Sequence, residues 1–195
     1  MARPKTISDE EILRIAREVF RARGHTATTR AVAEAASISE AILYQRFGSK
    51  DDLFFAAMRP TGPDVEQLLG PADPGDDARA YLHAAVVRIG EYFAEAIPLG
   101  LRVMTHPSFD HATFAREMPR AHAVIQEGLA RRLTALARRH RLANVSMGVT
   151  ARLLVSLAHD WGLAAALAHG RSAQRARPLK EMVDVVWQGL RPRRA

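Results

Sequence analysis

The sequence contains no cysteine among its 195 residues. Disulfides, cysteine-ligated zinc and a thiol nucleophile are therefore excluded, and the composition fits a reducing compartment. No apolar run reaches the ~18 residues that a membrane-spanning helix needs. The first residues, MARPKTISDEE, also lack the apolar segment of a secretory signal. We therefore expect a cytoplasmic protein with no membrane partner.

The sequence also lacks the common catalytic motifs. It has no Gly-rich phosphate loop and no paired-carboxylate motif. His106 and His111 flank Asp110, but a proline and a predicted loop separate them, so we interpret them as polar loop or pocket-rim residues rather than metal ligands. His159 and Asp160 suit a hydrogen-bonded pair, because no nucleophile or third catalytic partner is placed by the sequence. We predict no enzymatic activity, no cofactor and no metal site.

Positive charge is concentrated at the C-terminal end of a chain whose net charge is +7. Residues 171–195 carry seven Lys and Arg against two Asp and Glu, whereas residues 60–170 carry eleven of each. Residues 1–59 carry ten against eight. A basic tail is compatible with a solvated end and with attraction to a polyanion, most often nucleic acid, so charge alone leaves both open.

Apolar periodicity near 3.6 residues and the scarcity of period-two segments predict an all-α fold. Ser8, Thr28 or Thr29, Ser37 or Ser39, and Ser49 are predicted caps of the first four helices. The predicted helices span about 8–23, 29–36, 39–47, 49–58, 77–97, 114–141, 146–169 and 178–190. We expect Pro98 to break the fifth or to start a shorter helix, and Pro119 to be a possible break near the start of the sixth. Residues 60–76 are predicted to be a linker or loop with a possible helical turn at 65–69.

The second and third helices form a hairpin, at about residues 29–48, that suits docking in a DNA major groove. Gln45 can pair with adenine, Glu40 can accept from a cytosine amino group, and Ala41 can contact a thymine methyl. Plain structural hairpins have the same outline, so the pattern alone leaves both interpretations open. The residues that can contact bases or phosphates on this hairpin are Thr28, Thr29, Ser39, Glu40, Ala41, Tyr44, Gln45 and Lys50.

Residues 8–58 resemble the DNA-binding domain of the TetR/AcrR family of bacterial transcriptional regulators. The matching segments are FRARG, HTATTRAVAEAASIS and AILYQRFGSKDDLF, of which LYQRFGSK is the most specific. The resemblance implies a DNA-binding domain at 1–60, a helical ligand-binding and dimerisation domain at 61–195, and a homodimer that releases a palindromic double-stranded operator when a small-molecule effector binds. It implies DNA contacts from Thr28, Thr29, Arg30, Ser39, Ala41, Tyr44, Gln45 and Lys50.

The remainder of the chain carries weaker expectations. The resemblance implies dimerisation through the last two long helices, whose apolar residues are Leu153, Leu154, Leu157, Trp161, Val183, Val186, Trp187 and Leu190. Candidate residues of an effector cavity, which core packing explains equally well, are Phe93, Arg102, His106, Phe109, Phe114 and Trp161. An activator, or a DNA-binding dimer without an inducer, remains an alternative to the repressor. A helical enzyme and a dimer that binds DNA without sequence preference are rival functions.

Two positions depart from the family pattern. Ser37 stands where a turn glycine is usual, so either a non-glycine residue adopts the left-handed conformation at a cost of about 1 kcal/mol, or the turn differs slightly. Glu40 stands where a basic residue is frequent, and a carboxylate near phosphates costs affinity unless it contacts a cytosine.

Overall fold

A computed structural model describes residues 7–59, 62–71, 77–140, 142–143, 145–167 and 176–191. These residues form the predicted all-α fold and contain no strand. The helices are α1 Asp9–Arg23, α2 Thr29–Ala36, α3 Glu40–Phe47, α4 Lys50–Met58, α5 Val65–Leu69, α6 Ala78–Met104, α7 His111–His140, α8 Met147–Leu167 and α9 Ala176–Leu190, with a 3₁₀ turn at Gly24–Thr26. None of the described helices is both long and apolar enough to cross a membrane.

Hydroxyl caps begin the first four helices, as predicted. The side chains of Ser8 and Thr28 each accept a hydrogen bond from the backbone N–H three residues later, at 3.2 Å. Ser39 and Ser49 do the same at 3.3 and 3.0 Å. Such a cap contributes about 1 kcal/mol by satisfying an amide that has no partner inside the helix. The bounds of α1 to α4 therefore agree with the predicted bounds to within one residue.

The chain divides into two compact units. Unit 1 comprises Met1–Pro60 and Leu99–Asp110. Its core is formed by α1 packed on α2 and α4, and the rings of Phe20 and Phe54 meet edge to face at 5.1 Å between centroids. Leu43 is the one fully buried residue of α3. The sequence did not indicate that residues 99–110 group with the N-terminal helices.

Unit 2 comprises Thr61–Pro98 and His111–Ala195. Its core contains apolar residues of α5, α6, α7, α8 and α9, among them Leu82, Leu129 and Leu154. At position 162 a Cβ would lie 2.6 Å from the Phe93 Cβ and 3.0 Å from the carbonyl oxygen of residue 90, so only glycine lets α8 approach α6 this closely.

The helix α6 differs from the sequence prediction because it continues through Pro98 to Met104. Proline removes one intrahelical hydrogen bond and normally costs about 3 kcal/mol inside a helix. Burial on the following turn offsets this cost, since Leu99 and Val103 pack against the core of unit 1. The helix α7 begins at His111, three residues before its predicted start, and passes position 119 without a break.

Candidate nucleic-acid interface

The turn between α2 and α3 is closed by the backbone. The N–H of Ile38 donates to the carbonyl of Ala33 at 3.0 Å, and the N–H of Ser37 donates to that of Glu34 at 3.2 Å. Ser37 has φ 55° and ψ 41°, and it is the only non-glycine residue with positive φ among the described residues. The predicted left-handed serine at the turn is therefore confirmed.

We expect Ser37→Gly to raise the free energy of unfolding by about 0.5–1 kcal/mol. The left-handed conformation costs an L-residue roughly 1–2 kcal/mol, and the greater freedom of glycine in the unfolded chain takes back about 0.4–1 kcal/mol of the gain. Urea unfolding followed by circular dichroism measures the change. Ser37→Val should shift the midpoint in the opposite direction, and equal midpoints for the three proteins would contradict a strained turn.

The outer side of α3 carries the predicted base-contacting residues. Ala41 and Gln45 are exposed, Tyr44 is 47% exposed, and Leu43 on the opposite side is 1% exposed. This alternation fixes which side of the helix faces outwards, because Leu43 anchors α3 in the core of unit 1. The helix therefore presents an amide and a methyl group to solvent, which are the groups that contact adenine and the thymine methyl in a major groove.

The residues that flank α3 lie in different environments. Thr28, Arg30 and Ser39 are exposed, whereas Lys50 at the start of α4 is half-buried. The Arg30 guanidinium lies 2.9 Å from a carboxylate oxygen of Glu34. Because both side chains of this pair are largely exposed, the pair contributes little stability and leaves Arg30 able to reach a phosphate.

The structure corrects the prediction for Thr29. Thr29 is only 7% exposed, and its hydroxyl donates a hydrogen bond to Oε2 of Glu40 at 2.6 Å. The side chain therefore lies between α2 and α3, buried beneath the exposed outer side of α3. One carboxylate oxygen of the half-buried Glu40 therefore already accepts a hydrogen bond within the chain. Glu40 links α3 to α2, and its other oxygen is left to accept from a cytosine amino group.

Tyr44 belongs to the same network. Its hydroxyl lies 3.2 Å from Oγ1 of Thr29. Since the Thr29 hydrogen goes to the carboxylate of Glu40, Tyr44 must be the donor of this second bond. A phosphate oxygen only accepts, so the Tyr44 hydroxyl has to release Thr29 before it can donate to a phosphate.

The candidate cavity residues fall in both units. Phe93 and Trp161 belong to unit 2, where Phe93 is 3% exposed and its ring contacts those of His122 and His159 at 4.9 and 5.0 Å. The side chain of Trp161 packs against α6 at position 90. Arg102, His106 and Phe109 belong to unit 1, and the side chain of Phe114 lies outside the described residues.

His106 is a packing residue of unit 1, which the sequence did not indicate. It is 6% exposed, and its ring lies 4.6 Å from that of Phe54. Its Nδ1 accepts a hydrogen bond from the N–H of Ser108 at 3.1 Å, and its Nε2 lies 3.6 Å from Oδ1 of Asp51. Nδ1 therefore carries no proton, and the neutral ring holds its hydrogen on the nitrogen nearer Asp51. No group of three or more metal-ligating side chains occurs in the described ranges.

We expect the free energy of unfolding to fall as the pH drops below 6.5 towards the lowered pKa of His106. Burial lowers the pKa of His106 below its usual 6.5, an effect that Asp51 opposes and that His25 and Lys50 reinforce. The unfolded chain then binds more protons than the folded chain, so stability is complete above this window and decreases as the pH falls through it. Denaturant unfolding at a series of pH values measures the slope.

His106→Gln is the matched variant for this measurement, because its side-chain oxygen can still accept from the backbone of residue 108 but cannot be protonated. Its slope between pH 6.5 and 5 should be smaller than that of the wild type. The Arg79 guanidinium lowers the pKa of Asp184 to about 2. The stability that Asp184 contributes is therefore lost at a lower pH, and it does not affect the slope between pH 6.5 and 5. Identical slopes for the two proteins would show that His106 does not titrate in the folded state as inferred.

The structure also corrects part of the predicted dimer surface. Leu154 and Val183 are 0% exposed and Leu190 is 2% exposed, so these side chains pack in the core of their own chain. Leu153 is 48% exposed, and Leu157, Trp161, Val186 and Trp187 are half-buried. Large apolar residues of α8 and α9 that the prediction omitted are also exposed, namely Val149, Leu167, Met182 and Val185.

Residues 12–57 match the family described as "Bacterial regulatory proteins, tetR family". No curated protein matches the chain. A transcriptional regulator from Rhodococcus sp. RHA1 has a similar structure, with a TM-score of 0.65 and 22% identity over 94% of this chain and 98% of that one.

Two further solved structures are similar over 94% of this chain, each at 19% identity. GusR of Salmonella enterica gives a TM-score of 0.63 and is covered completely. A TetR/AcrR regulator from Thermobifida fusca gives 0.64 and is covered over 98% of its length. At these identities the likeness establishes the helical fold alone, and the match to the family model covers only residues 12–57. Residues 12–57 therefore match the tetR family of bacterial regulatory proteins, and the described chain has the helical fold of these solved regulators.

Proposed function

We propose that this protein is a DNA-binding transcriptional regulator, a homodimeric repressor that binds a palindromic operator and releases it when a small-molecule effector binds. The observation that carries the proposal is the outward side of α3, where Ala41, Tyr44 and Gln45 are exposed while Leu43 anchors the helix. In this proposal residues 1–60 bind DNA, and residues 61–195 bind the effector and form the dimer.

Affinity in the proposed complex depends on local contacts rather than on bulk charge. Residues 1–59 carry only two more basic than acidic side chains, ten against eight. Thr28, Arg30, Ser39 and Lys50 would contact phosphates around a helix whose Gln45 and Ala41 contact bases. The bond network from Tyr44 through Thr29 to Glu40 supports this geometry by fixing α3 relative to α2.

The dimer in this proposal forms through the exposed apolar side chains of α8 and α9. Val149, Leu153 and Leu167 lie on α8, and Met182 and Val185 lie on α9. Two copies must place their α3 helices about 34 Å apart to enter successive major grooves. An effector that stabilises another spacing would lower operator affinity by shifting the population of dimers.

Binding-site selection from random double-stranded DNA tests the proposal with the purified protein. We expect enrichment of a two-fold symmetric site whose half-sites are about one helical turn apart. Enrichment of a single half-site would contradict the dimer, and retention of DNA without any preferred sequence, with a steep salt dependence, would contradict a specific operator. Reporter expression from a promoter that carries the selected site distinguishes repression from activation.

A further inference from the structure

The arginines near the end of α7 do not share one environment. The sequence pattern favours a solvated surface for Arg131, Arg132, Arg138, Arg139 and Arg141, with a second DNA site as the alternative. Arg131, Arg138 and Arg139 are exposed, and Arg141 lies outside the described residues. Arg132 is only 8% exposed and belongs to the same stretch of α7 as the fully buried Leu129 and Leu133. A buried guanidinium is unfavourable unless all of its donors are bonded and its charge is paired.

The hydrogen bonds of Arg132 are incomplete. Its Nη2 donates to Oε2 of Glu66 on α5 at 2.5 Å. The Glu66 side chain is 81% exposed, so it is a weak counter-charge for a side chain that is 9% exposed. The other terminal nitrogen, Nη1, is buried and has no hydrogen-bond partner in the described part of the chain.

A second buried hydrogen-bond donor, the hydroxyl of Tyr81, lies near the Arg132 guanidinium. The hydroxyl of Tyr81 on α6 is buried and also has no hydrogen-bond partner among the described residues. Burial raises the pKa of Tyr81, and the nearby guanidinium groups of Arg132 and Arg88 partly oppose that rise. The charge of Arg132 and its hydrogen bonding both lower the pKa of Tyr81, so this hydroxyl lies beside the Arg132 guanidinium although the pair does not form a hydrogen bond of good geometry.

Two arginines also hold α5 over this region. Arg88 donates from Nε to the carbonyl of Leu68 at 2.7 Å, and Arg132 binds Glu66 two residues earlier. The five-residue α5 packs on α7 through Val65 and Leu69, both of which lie close to Gly128. Exchange of the Glu66 carboxylate for another anion would therefore act directly on α5.

We propose that Arg132 and Tyr81 bind the carboxylate of a small organic acid, and that Glu66 occupies its place in the ligand-free chain. Two converging donors, one of them charged, match the two oxygens of a carboxylate. Tyr81, Leu69, Leu129 and Leu133 belong to one core cluster, so the remainder of the acid would be apolar. The inference rests on the ligand-responsive part of the proposed function and names the class of effector.

Isothermal titration of the full-length protein with sodium acetate, benzoate and octanoate tests the site, with inorganic phosphate and benzamide as comparison probes. We expect benzoate or octanoate to bind, and benzamide, which lacks the charge, not to bind. Equal binding of benzamide would overturn the proposal, and tighter binding of phosphate than of any carboxylate would overturn its ligand class.

Two conservative variants should move the affinity in opposite directions. Tyr81→Phe should weaken carboxylate binding about tenfold, because one hydrogen bond to a charged group is lost. Glu66→Gln should tighten it about threefold or more, because the exposed competing carboxylate is removed. Arg131→Gln, at the exposed neighbouring arginine, should leave the affinity unchanged. Unaltered affinities in the first two variants, or no carboxylate binding to Glu66→Gln, would show that the site does not exist.

The titrations contain no DNA, so their outcome is separate from that of operator release. A fluorescence-anisotropy assay on the selected operator, with and without the bound acid, tests the regulatory part. Carboxylate binding that leaves operator affinity unchanged would preserve the site and contradict its role as effector site. Operator release by another class of molecule, without carboxylate binding, would preserve the proposed function and overturn this inference.

Discussion

Val185→Asp should convert the protein to a monomer and lower its affinity for a two-fold symmetric operator by about 100-fold or more. Val185 on α9 is 69% exposed, the largest exposed fraction among the large apolar residues of the described chain. A carboxylate there would be desolvated in an interface between two copies, next to its own symmetry mate or another apolar surface. The loss of affinity follows because linking two binding modules raises affinity by about 10²–10⁴.

Sedimentation equilibrium measures the mass, and fluorescence anisotropy with the selected operator measures the affinity. Gln67→Asp is the control, because it adds the same charge at an exposed position of α5, far along the sequence from α8 and α9. A dimeric Val185→Asp protein with full operator affinity would contradict the proposed interface. Leu153→Asp, at the 48% exposed position of α8, should reproduce the effect if both helices form one surface.

Local signals in the sequence determined much of the N-terminal fold. A hydroxyl followed by an apolar stripe marks where a helix starts, because the cap and the free amides that it satisfies lie within four residues. These caps depend only on neighbouring residues, and the structure has them where they were predicted. The left-handed conformation at Ser37 was instead expected from the family resemblance, in which a glycine is usual at this turn.

The contacts that the sequence did not predict join residues far apart in the chain. Arg132 is buried because α5 lies over it, and its partner Glu66 is 66 positions away. His106 packs with Asp51 and Phe54 because residues 99–110 group with unit 1. No local pattern encodes such pairings. At Pro98, likewise, tertiary packing outweighs the tendency of proline to end a helix.

The apolar residues of α8 illustrate a different limit. This helix is apolar on most sides, so periodicity cannot distinguish the residues that face the core from those available to another chain. Leu153 and Leu154 are adjacent in the sequence, yet one is 48% exposed and the other is fully buried. Only the positions of α6, α7 and α9 separate the two, and those positions come from the folded structure.

Gln45→Ala should relax the base preference at one position of each half-site, whereas Tyr44→Ala should weaken binding to all sequences about equally. Gln45 is exposed on the outer side of α3, and a bidentate amide–adenine pair contributes about 1–3 kcal/mol of discrimination. Tyr44 is 47% exposed. In the proposed complex its hydroxyl leaves Thr29 and contacts a phosphate, which carries no base information. Parallel binding-site selections with the wild type and both variants measure the preference at every position.

Tyr44→Phe distinguishes the two parts of the Tyr44 contribution. The ring stays, but the hydroxyl that donates to Thr29 is removed, so Thr29 and Glu40 keep their own bond while the phosphate loses a donor. If the phosphate contact is formed by the hydroxyl, Tyr44→Phe should weaken binding nearly as much as Tyr44→Ala and reduce the salt dependence little, because no charge is lost. Full affinity for Tyr44→Ala, or an unchanged base preference for Gln45→Ala, would mean that a different side of α3 faces the DNA. The exposed Arg30 and Ser39 would then have to supply the specific contacts. These contacts would be weaker than those of Gln45, because a serine side chain is short and Arg30 is already paired with Glu34.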